Sequence, residues 1–319
     1  MPASAWIRCL QLLPYLEEAG IGGEVNEPDT DAAVCCFVRH QDAAALDLAR
    51  NLKRRGCRIV VDFCVNYFAE TGLICGVYGA TKERVDEALR MVEVADAVTC
   101  ASAFIADRAR RHHANVHYLP DSVDERHFAV VKSAAEFGRS PPRAIWSGVG
   151  SKLKAVEQIA HMLHRHGIPL TVVSEQAPVL QRSGLLGIRR NMAYTFEKWR
   201  YETFPLAILG GEVCISPREV DNPYDQGHSF FKIAVFMAEG VPALAGPVPS
   251  YSELLGSGRG GRICRTLQEW DETLAAVARD PGILARWSVE AREAVKPFTT
   301  ARVAAQYAAL FRDLCRAAG

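Results

Sequence analysis

The sequence predicts an α/β protein made of two doubly wound domains in succession. Short runs rich in β-branched residues alternate with amphipathic helical segments along the whole chain, the pattern of parallel sheets covered by helices. The alternation is interrupted once, at 130–143, where Lys132, Ser133, Gly138, Arg139, Ser140 and the paired Pro141 and Pro142 read as a linker. A chain of 319 residues also exceeds what one hydrophobic core usually serves. The expected division is a first domain over 1–138, a second over 139–297 and a closing helix over 298–319.

Element by element, the first half offers strands at 33–38, 58–62, 97–100 and 116–119. A helix over 43–55 places Leu46, Ala49 and Leu52 on one face, and another over 82–95 does the same with Val85, Leu89 and Val92. The second half offers strands near 144–148, 170–174, 192–195, 212–216, 242–245 and 261–264, with helices between. The last helix, about 298–316, carries Val303, Tyr307, Leu310 and Leu314 as one apolar stripe behind a Thr299 or Thr300 cap. No short-period repeat or low-complexity tract interrupts the series. Two such sheets invite a cleft between domains, with ligands outside the carboxyl ends of the strands.

Composition excludes several function classes. Lys plus Arg equals Asp plus Glu at 37 each, so nothing draws the whole chain to nucleic acid or an acidic surface, and any anion site is local. No apolar run is long enough to span a membrane, which leaves only peripheral membrane contact open, and Met1 to Arg8 does not read as a signal peptide. The ten cysteines (Cys9, Cys35, Cys36, Cys57, Cys64, Cys75, Cys100, Cys214, Cys264, Cys315) form no Cys-x-x-Cys pair, and several sit in apolar runs. They read as small buried hydrophobes in a reducing, cytoplasmic setting. His161, His164 and His166 have no acidic or cysteine ligand beside them, so no metal site is expected; His112 and His113 read the same way.

Chemistry is suggested at two helix starts. Gly227, His228 and Ser229 end a polar loop, a helix follows, and Gly240 with Pro242 stops it. Lys232 then lies in the first turn, where a cation opposes the helix dipole by roughly 0.3–1 kcal/mol. A bound anion reverses that sign. The same oddity recurs after the strand at 144–148, where Gly148, Gly150, Ser151 and Lys152 open a helix with a basic first turn. The spacing is neither a Walker loop nor Gly-x-Gly-x-x-Gly. A pyrophosphate would satisfy both starts. A surface lysine reaching solvent is the plainer reading of Lys232 taken alone.

Several segments resemble the GT-B glycosyltransferases, in particular the bacterial retaining group 1, or family four. Ala95 to Ile105 is similar to the family's strand and serine-capped helix, with Ser102 as cap. Pro120, Asp121, Val123 and Asp124 resemble its Pro-Asn-Gly-Val-Asp turn, and Met237, Ala238, Gly240 and Pro242 its Met-Ala-x-Gly-x-Pro helix end. Pro249 to Glu253, Gly260 with Gly261, and Phe298 to Phe311 match the following loop, turn and terminal helix. The resemblance implies two Rossmann-like domains, a terminal helix that crosses back onto the first, and transfer of a sugar from a nucleotide-sugar donor to an acceptor. It implies donor-binding roles for Gly150, Ser151, Lys152, His228, Ser229, Lys232 and Glu253, with the nucleotide sugar as co-substrate and no cofactor or metal.

Departures accompany it. The family's Glu-x7-Glu pair would fall at Gly227 and Val235, and a frequent basic residue before the phosphate helix is His228. The family's opening strand has no counterpart, since the chain starts at what resembles the loop after it. Either codons upstream of Met1 encode that strand, or the strands at 33–38 and 58–62 close the gap. Asp62 and Asn66, after the second strand, and Arg39 and His40, after the first, are expected at the cleft. Asp62 and Asn66 are catalytic candidates beside Lys232, and Arg39 and His40 acceptor-side groups; turn stabilisation is the plainer role for Asp62 and Asn66. The rival functions are a GT-B epimerase, which needs acid and base carboxylates, and a non-catalytic nucleotide- or partner-binding relative.

Overall fold

The computed structural model describes residues 3–25, 28–72, 79–176, 194–218 and 220–316. It divides into two compact units. One comprises Met1–Asp124, Asp221–Ser229 and Phe298–Gly319, the other Glu125–Val220 and Phe230–Pro297.

The first unit carries a parallel sheet of β1 (Val34–Val38), β2 (Arg58–Phe63), β3 (Ala97–Cys100) and β4 (Val116–Tyr118), paired in that order. All four strands lie where the sequence pattern puts them. β1 pairs directly with β2, Val34 opposite Arg58 through Val38 opposite Asp62, so no gap separates the two strands. The period of two along β2 sorts its side chains between faces. Ile59, Val61 and Phe63 enter a core with helices α2 (Ala43–Arg54), α3 (Lys82–Val94) and α4 (Ala103–Ala109), through Leu46, Ala49, Leu52, Met91 and Ile105. Asp42, Thr81 and Ser102 cap these three helices. Val60 points the other way, with Ala97 of β3, against Leu12, Tyr15 and Leu16 around α1 (Leu13–Glu18). The terminal helix, Thr300–Arg316, closes that face with the predicted stripe Val303, Tyr307, Leu310 and Leu314. The strand order of this sheet runs without reversal; its second face is covered from the two ends of the chain.

The second unit carries six parallel strands: β5 (Ala144–Ser147), β6 (Leu170–Ser174), β7 (Tyr194–Lys198), β8 (Val213–Ser216), β9 (Ala243–Ala245) and β10 (Gly261–Ile263). Their spatial order is β10-β9-β8-β5-β6-β7. The order reverses between β5 and β8, which makes this sheet doubly wound. The strand expected near 192–195 is β7; positions 192 and 193 lie outside the described residues. Helix α5 (Lys154–Arg165) buries Val156, Ile159 and Leu163 with Trp270, Leu274 and Val277 of a helix at Leu267–Arg279.

The boundary expected at 138 is corrected to 124. Phe128 packs edge-on against Phe204 with 6.2 Å between ring centroids, and Phe137 enters the core of the second unit. Lys132 donates to the Leu209 carbonyl at 2.8 Å and pairs with buried Glu212 at 3.6 Å. These anchors bind 125–138 to the second unit in spite of its polar composition. Segment 221–229 joins the first unit instead. Asn66 Nδ2 donates to the Pro223 carbonyl at 3.1 Å, and Ser102 Oγ to the Gly227 carbonyl at 3.0 Å.

Among the described residues Cys57, Cys100, Cys214 and Cys264 are buried, Cys9, Cys35, Cys36 and Cys64 half-buried and Cys315 exposed, all as free thiols. Cys75 lies outside the described residues. No described helix is long and apolar enough to cross a membrane.

Candidate functional site

In the second unit, the reversal point of the sheet is where cations collect. β5 ends at Ser147, and Gly148 (φ 156°) turns the chain into a short 3-10 turn, Gly150–Leu153, that leads into α5. Lys152 lies on that turn. β8 ends at Ser216, and Arg218 follows two residues on. A Cβ at Gly246 would come within 2.8 Å of the Arg218 backbone nitrogen, so a glycine is what lets the loop after β9 pass this close. Lys232 stands in the first turn of Phe231–Ala238, a helix whose cap position offers no side-chain bond and whose first turn has no acid.

Lys232 Nζ sits over the buried Trp146 ring, 4.3 Å from its centroid, a cation–π contact. A Cβ on Gly148 would lie 3.2 Å from the same Nζ. Burial pushes the Lys232 ammonium well below its ordinary value, and the charges of Arg218 and Lys152 push it further. Cys214 acts in the opposite sense; its own thiol is pushed by burial up to about 12. No carboxylate pairs with Lys232 among the described residues. Three cations thus act on one another where strand order reverses, the place at which open α/β sheets bind ligands.

Other residues of the expected donor set are distributed differently. Gly150 and Ser151 open the turn that carries Lys152. Glu253 lies exposed on a helix at Pro249–Leu255. His228 and Ser229 belong to the first unit, where Ser229 Oγ donates to Asp121 Oδ2 and His228 packs edge-on against Tyr224.

In the first unit, Asp62 and Asn66 do not have the free polar groups that catalysis needs. Asp62 is 1% exposed and accepts from Arg8 Nε at 3.0 Å, from Thr99 Oγ1 at 2.6 Å and from the Tyr307 hydroxyl at 3.0 Å. Arg8, itself buried, also donates to the Leu119 carbonyl at 2.7 Å and to Asp121 at 3.2 Å. Burial works against the Arg8 charge, but Asp62, Tyr307 and Asp121 outweigh it and hold its pKa well above the ordinary value. Burial raises Asp121 against the pull of Arg8 and Ser229. Asn66 is fully buried, donating to Pro223 and accepting from the Phe68 N–H at 3.1 Å. Both therefore hold the unit together. Arg39 and His40 do stand exposed at the carboxyl end of β1.

The sequence reading missed Arg218, Trp146, Arg8 and Tyr307. Arg218 had a visible signal, since it lies just past the carboxyl end of a predicted strand.

No family model matches the chain, and no curated protein matches it. Solved structures do. The chain resembles a glycosyltransferase from Rickettsia africae, with 9% identity, 98% of this chain and 96% of that one covered and a TM-score of 0.70. It resembles the sucrose-phosphate synthase of Thermosynechococcus elongatus, with 14% identity, coverages of 99% and 81% and a TM-score of 0.69. The fold is GT-B. A third structure of this fold, Anabaena HepE in complex with UDP and glucose, matches with 13% identity, coverages of 97% and 83% and a TM-score of 0.69. In this GT-B chain the cationic cluster therefore lies in the C-terminal Rossmann-like unit.

Proposed function

We propose that this protein is a glycosyltransferase that takes a sugar from a nucleotide-sugar donor. The observation that carries the reading is Lys232, a half-buried ammonium over Trp146 with Arg218 and Lys152 acting on it and no carboxylate partner among the described residues. Without an anion each of these charges disfavours the others. A diphosphate converts the same arrangement into mutual stabilisation, reinforced by N–H groups at the start of the Phe231–Ala238 helix and of the turn opened by Gly150 and Ser151. The HepE structure holds UDP and glucose on the same fold, which supports a nucleoside diphosphate as the ligand.

In the reaction, the bond between sugar C1 and the diphosphate oxygen breaks with its electron pair on the diphosphate. An acceptor hydroxyl forms the new bond to C1, and its proton passes to the leaving diphosphate, directly or through water. Lys152, Arg218 and Lys232 stabilise the charge that develops on the leaving diphosphate. Three cations supply this stabilisation from the chain itself, so the reading needs no metal and no cofactor beyond the co-substrate. Retention at C1 is the finer expectation, read from the anomeric proton coupling of the product.

Calorimetric titration of UDP into the wild type and Lys232→Ala tests the site. Removing a charge-assisted contact of about 1.5–3 kcal/mol should weaken binding at least tenfold, while Lys198→Ala on β7 leaves it unchanged. Equal affinity in wild type and Lys232→Ala would remove this residue from the site. Incubation with a panel of nucleotide sugars, scoring released nucleoside diphosphate and sugar transferred or epimerised, then separates transfer from epimerisation and from binding alone.

A further inference from the structure

A second polar site lies wholly within the first unit. A cavity of about 200 Å³ is lined by Arg39, Gln41, Asp42, Tyr67, Arg84 and Glu87. At about 30 Å³ per water this holds roughly six or seven waters, the space of one sugar ring. Arg39 ends β1 with φ 58°, the one non-glycine residue in the left-handed region among those described. A residue with a side chain adopts that conformation uncommonly, and such outliers gather where a side chain must be aimed. Arg39 Nη1 donates to Ser4 Oγ at 3.1 Å, and the Tyr67 side chain lines the same cavity. Arg84 Nη1 donates to the Gly79 carbonyl at 3.1 Å, and Gln41 Nε2 to the Arg84 carbonyl at 3.3 Å.

The lining is thus held in place by its own bonds, yet most donors of the two guanidinium groups have no protein acceptor among the described residues. Neither arginine forms an ion pair among the described residues, although two carboxylates line the same cavity. Asp42 Oδ1 is occupied in accepting from the Ala45 N–H at 2.9 Å, as cap of α2. Fixed arginine forks suit a planar carboxylate. The carboxylates, with Gln41 and Tyr67, suit hydroxyl groups. Beside the two guanidiniums the two carboxylates oppose every added negative charge, so a monoanion suits this cavity better than a dianionic phosphate.

We propose that this cavity binds a hydroxylated acid, a sugar or polyol carrying one carboxylate, with the acid on Arg39 and Arg84 and hydroxyls on Gln41, Asp42 and Glu87. That this ligand is the acceptor rests on the glycosyl-transfer reading; that it binds does not.

The test is calorimetric titration of the full chain with D-glucuronate, D-glucose and inorganic phosphate. The wild type should bind glucuronate at least tenfold more tightly than glucose or phosphate. Arg39→Gln and Arg84→Gln should each weaken glucuronate about tenfold while leaving UDP affinity unchanged. Because Arg39 also holds Ser4, Arg84→Gln decides the matter if Arg39→Gln lowers the melting temperature. Glucuronate bound no better than glucose, glucuronate affinity unmoved by Arg84→Gln, or phosphate bound most tightly would each overturn the proposal. If UDP fails to bind and glucuronate behaves as expected, the donor reading falls and the cavity assignment stands.

Discussion

Replacing Glu239 by Gln should stabilise the second unit, and by an amount that depends on pH. Glu239 is 0% exposed, and neither carboxyl oxygen has a hydrogen-bond partner among the described residues. Its backbone carbonyl accepts from the Lys132 N–H at 2.8 Å, so the side chain cannot leave without disturbing that anchor. Burial alone lifts its pKa from 4.5 to about 9. The folded state therefore holds a proton that the unfolded chain releases above its own pKa. The stability tied to this proton is complete below 4.5 and is lost progressively as pH rises towards 9. By pH 7 the loss spans about 2.5 pH units at about 1.4 kcal/mol each, or roughly 3 kcal/mol. Gln keeps the shape and the neutral polarity but has no proton to lose. Scanning calorimetry at pH 5 and pH 7 should show Glu239→Gln melting higher at pH 7, by roughly 6–12 °C, and nearly level with the wild type at pH 5. An equal shift at both pH values, or a less stable variant at pH 7, would show that Glu239 is not a buried neutral acid.

Three further outcomes follow from the geometry. Asp62→Asn should lower the unfolding free energy by about 3 kcal/mol in urea titrations, because it leaves the buried Arg8 guanidinium under-compensated; a loss below about 1 kcal/mol would mean that Asp121 alone suffices. Gly148→Ala would place a methyl group 3.1 Å from the buried Trp146 ring and 3.2 Å from Lys232 Nζ on a backbone conformation that side chains rarely adopt, so the urea midpoint and UDP affinity should both fall, and unchanged affinity in the folded variant would separate Gly148 from the donor site. Deleting residues 298–319 removes Val303, Tyr307, Leu310 and Leu314, each about 1.5–3 kcal/mol of burial, and uncovers Leu12, Tyr15, Leu16, Val60 and Ala97, so the shortened chain should lose solubility or its first melting transition; an identical thermogram would refute that packing.

Strands such as β2 and β8 were legible because parallel strands buried on both faces are written as apolar, largely β-branched runs between helical periods. By contrast β7, mostly exposed, and β9, Ala-Leu-Ala, were legible only from their place in the alternation. The stripe on the terminal helix was legible from its helical spacing of three and four residues. The boundary at 124 was not, because two aromatic anchors, Phe128 and Phe137, outweigh a polar and proline-rich neighbourhood that composition reads as linker. Lys232 could be found from its misfit with the helix dipole. Arg218 could not be ranked above other arginines until the reversal between β5 and β8 was known, since only topology brings it to Lys232. Asp62 and Asn66 show the opposite failure. Polar groups at strand ends look available in a sequence, and their partners Arg8, Tyr307 and Pro223 lie too far along the chain to be foreseen.

The three separate stretches of the first unit set an order on its completion during synthesis. Its four strands and the helices on one face are made before any of the second unit, but Val60 and Ala97 wait for Val303, Tyr307 and Leu310, which leave the ribosome after every other described strand and helix core. Until then an apolar sheet face with only α1 upon it is open to other chains. A nascent chain stalled in the second unit should therefore be a chaperone client, although the first sheet is already fully translated.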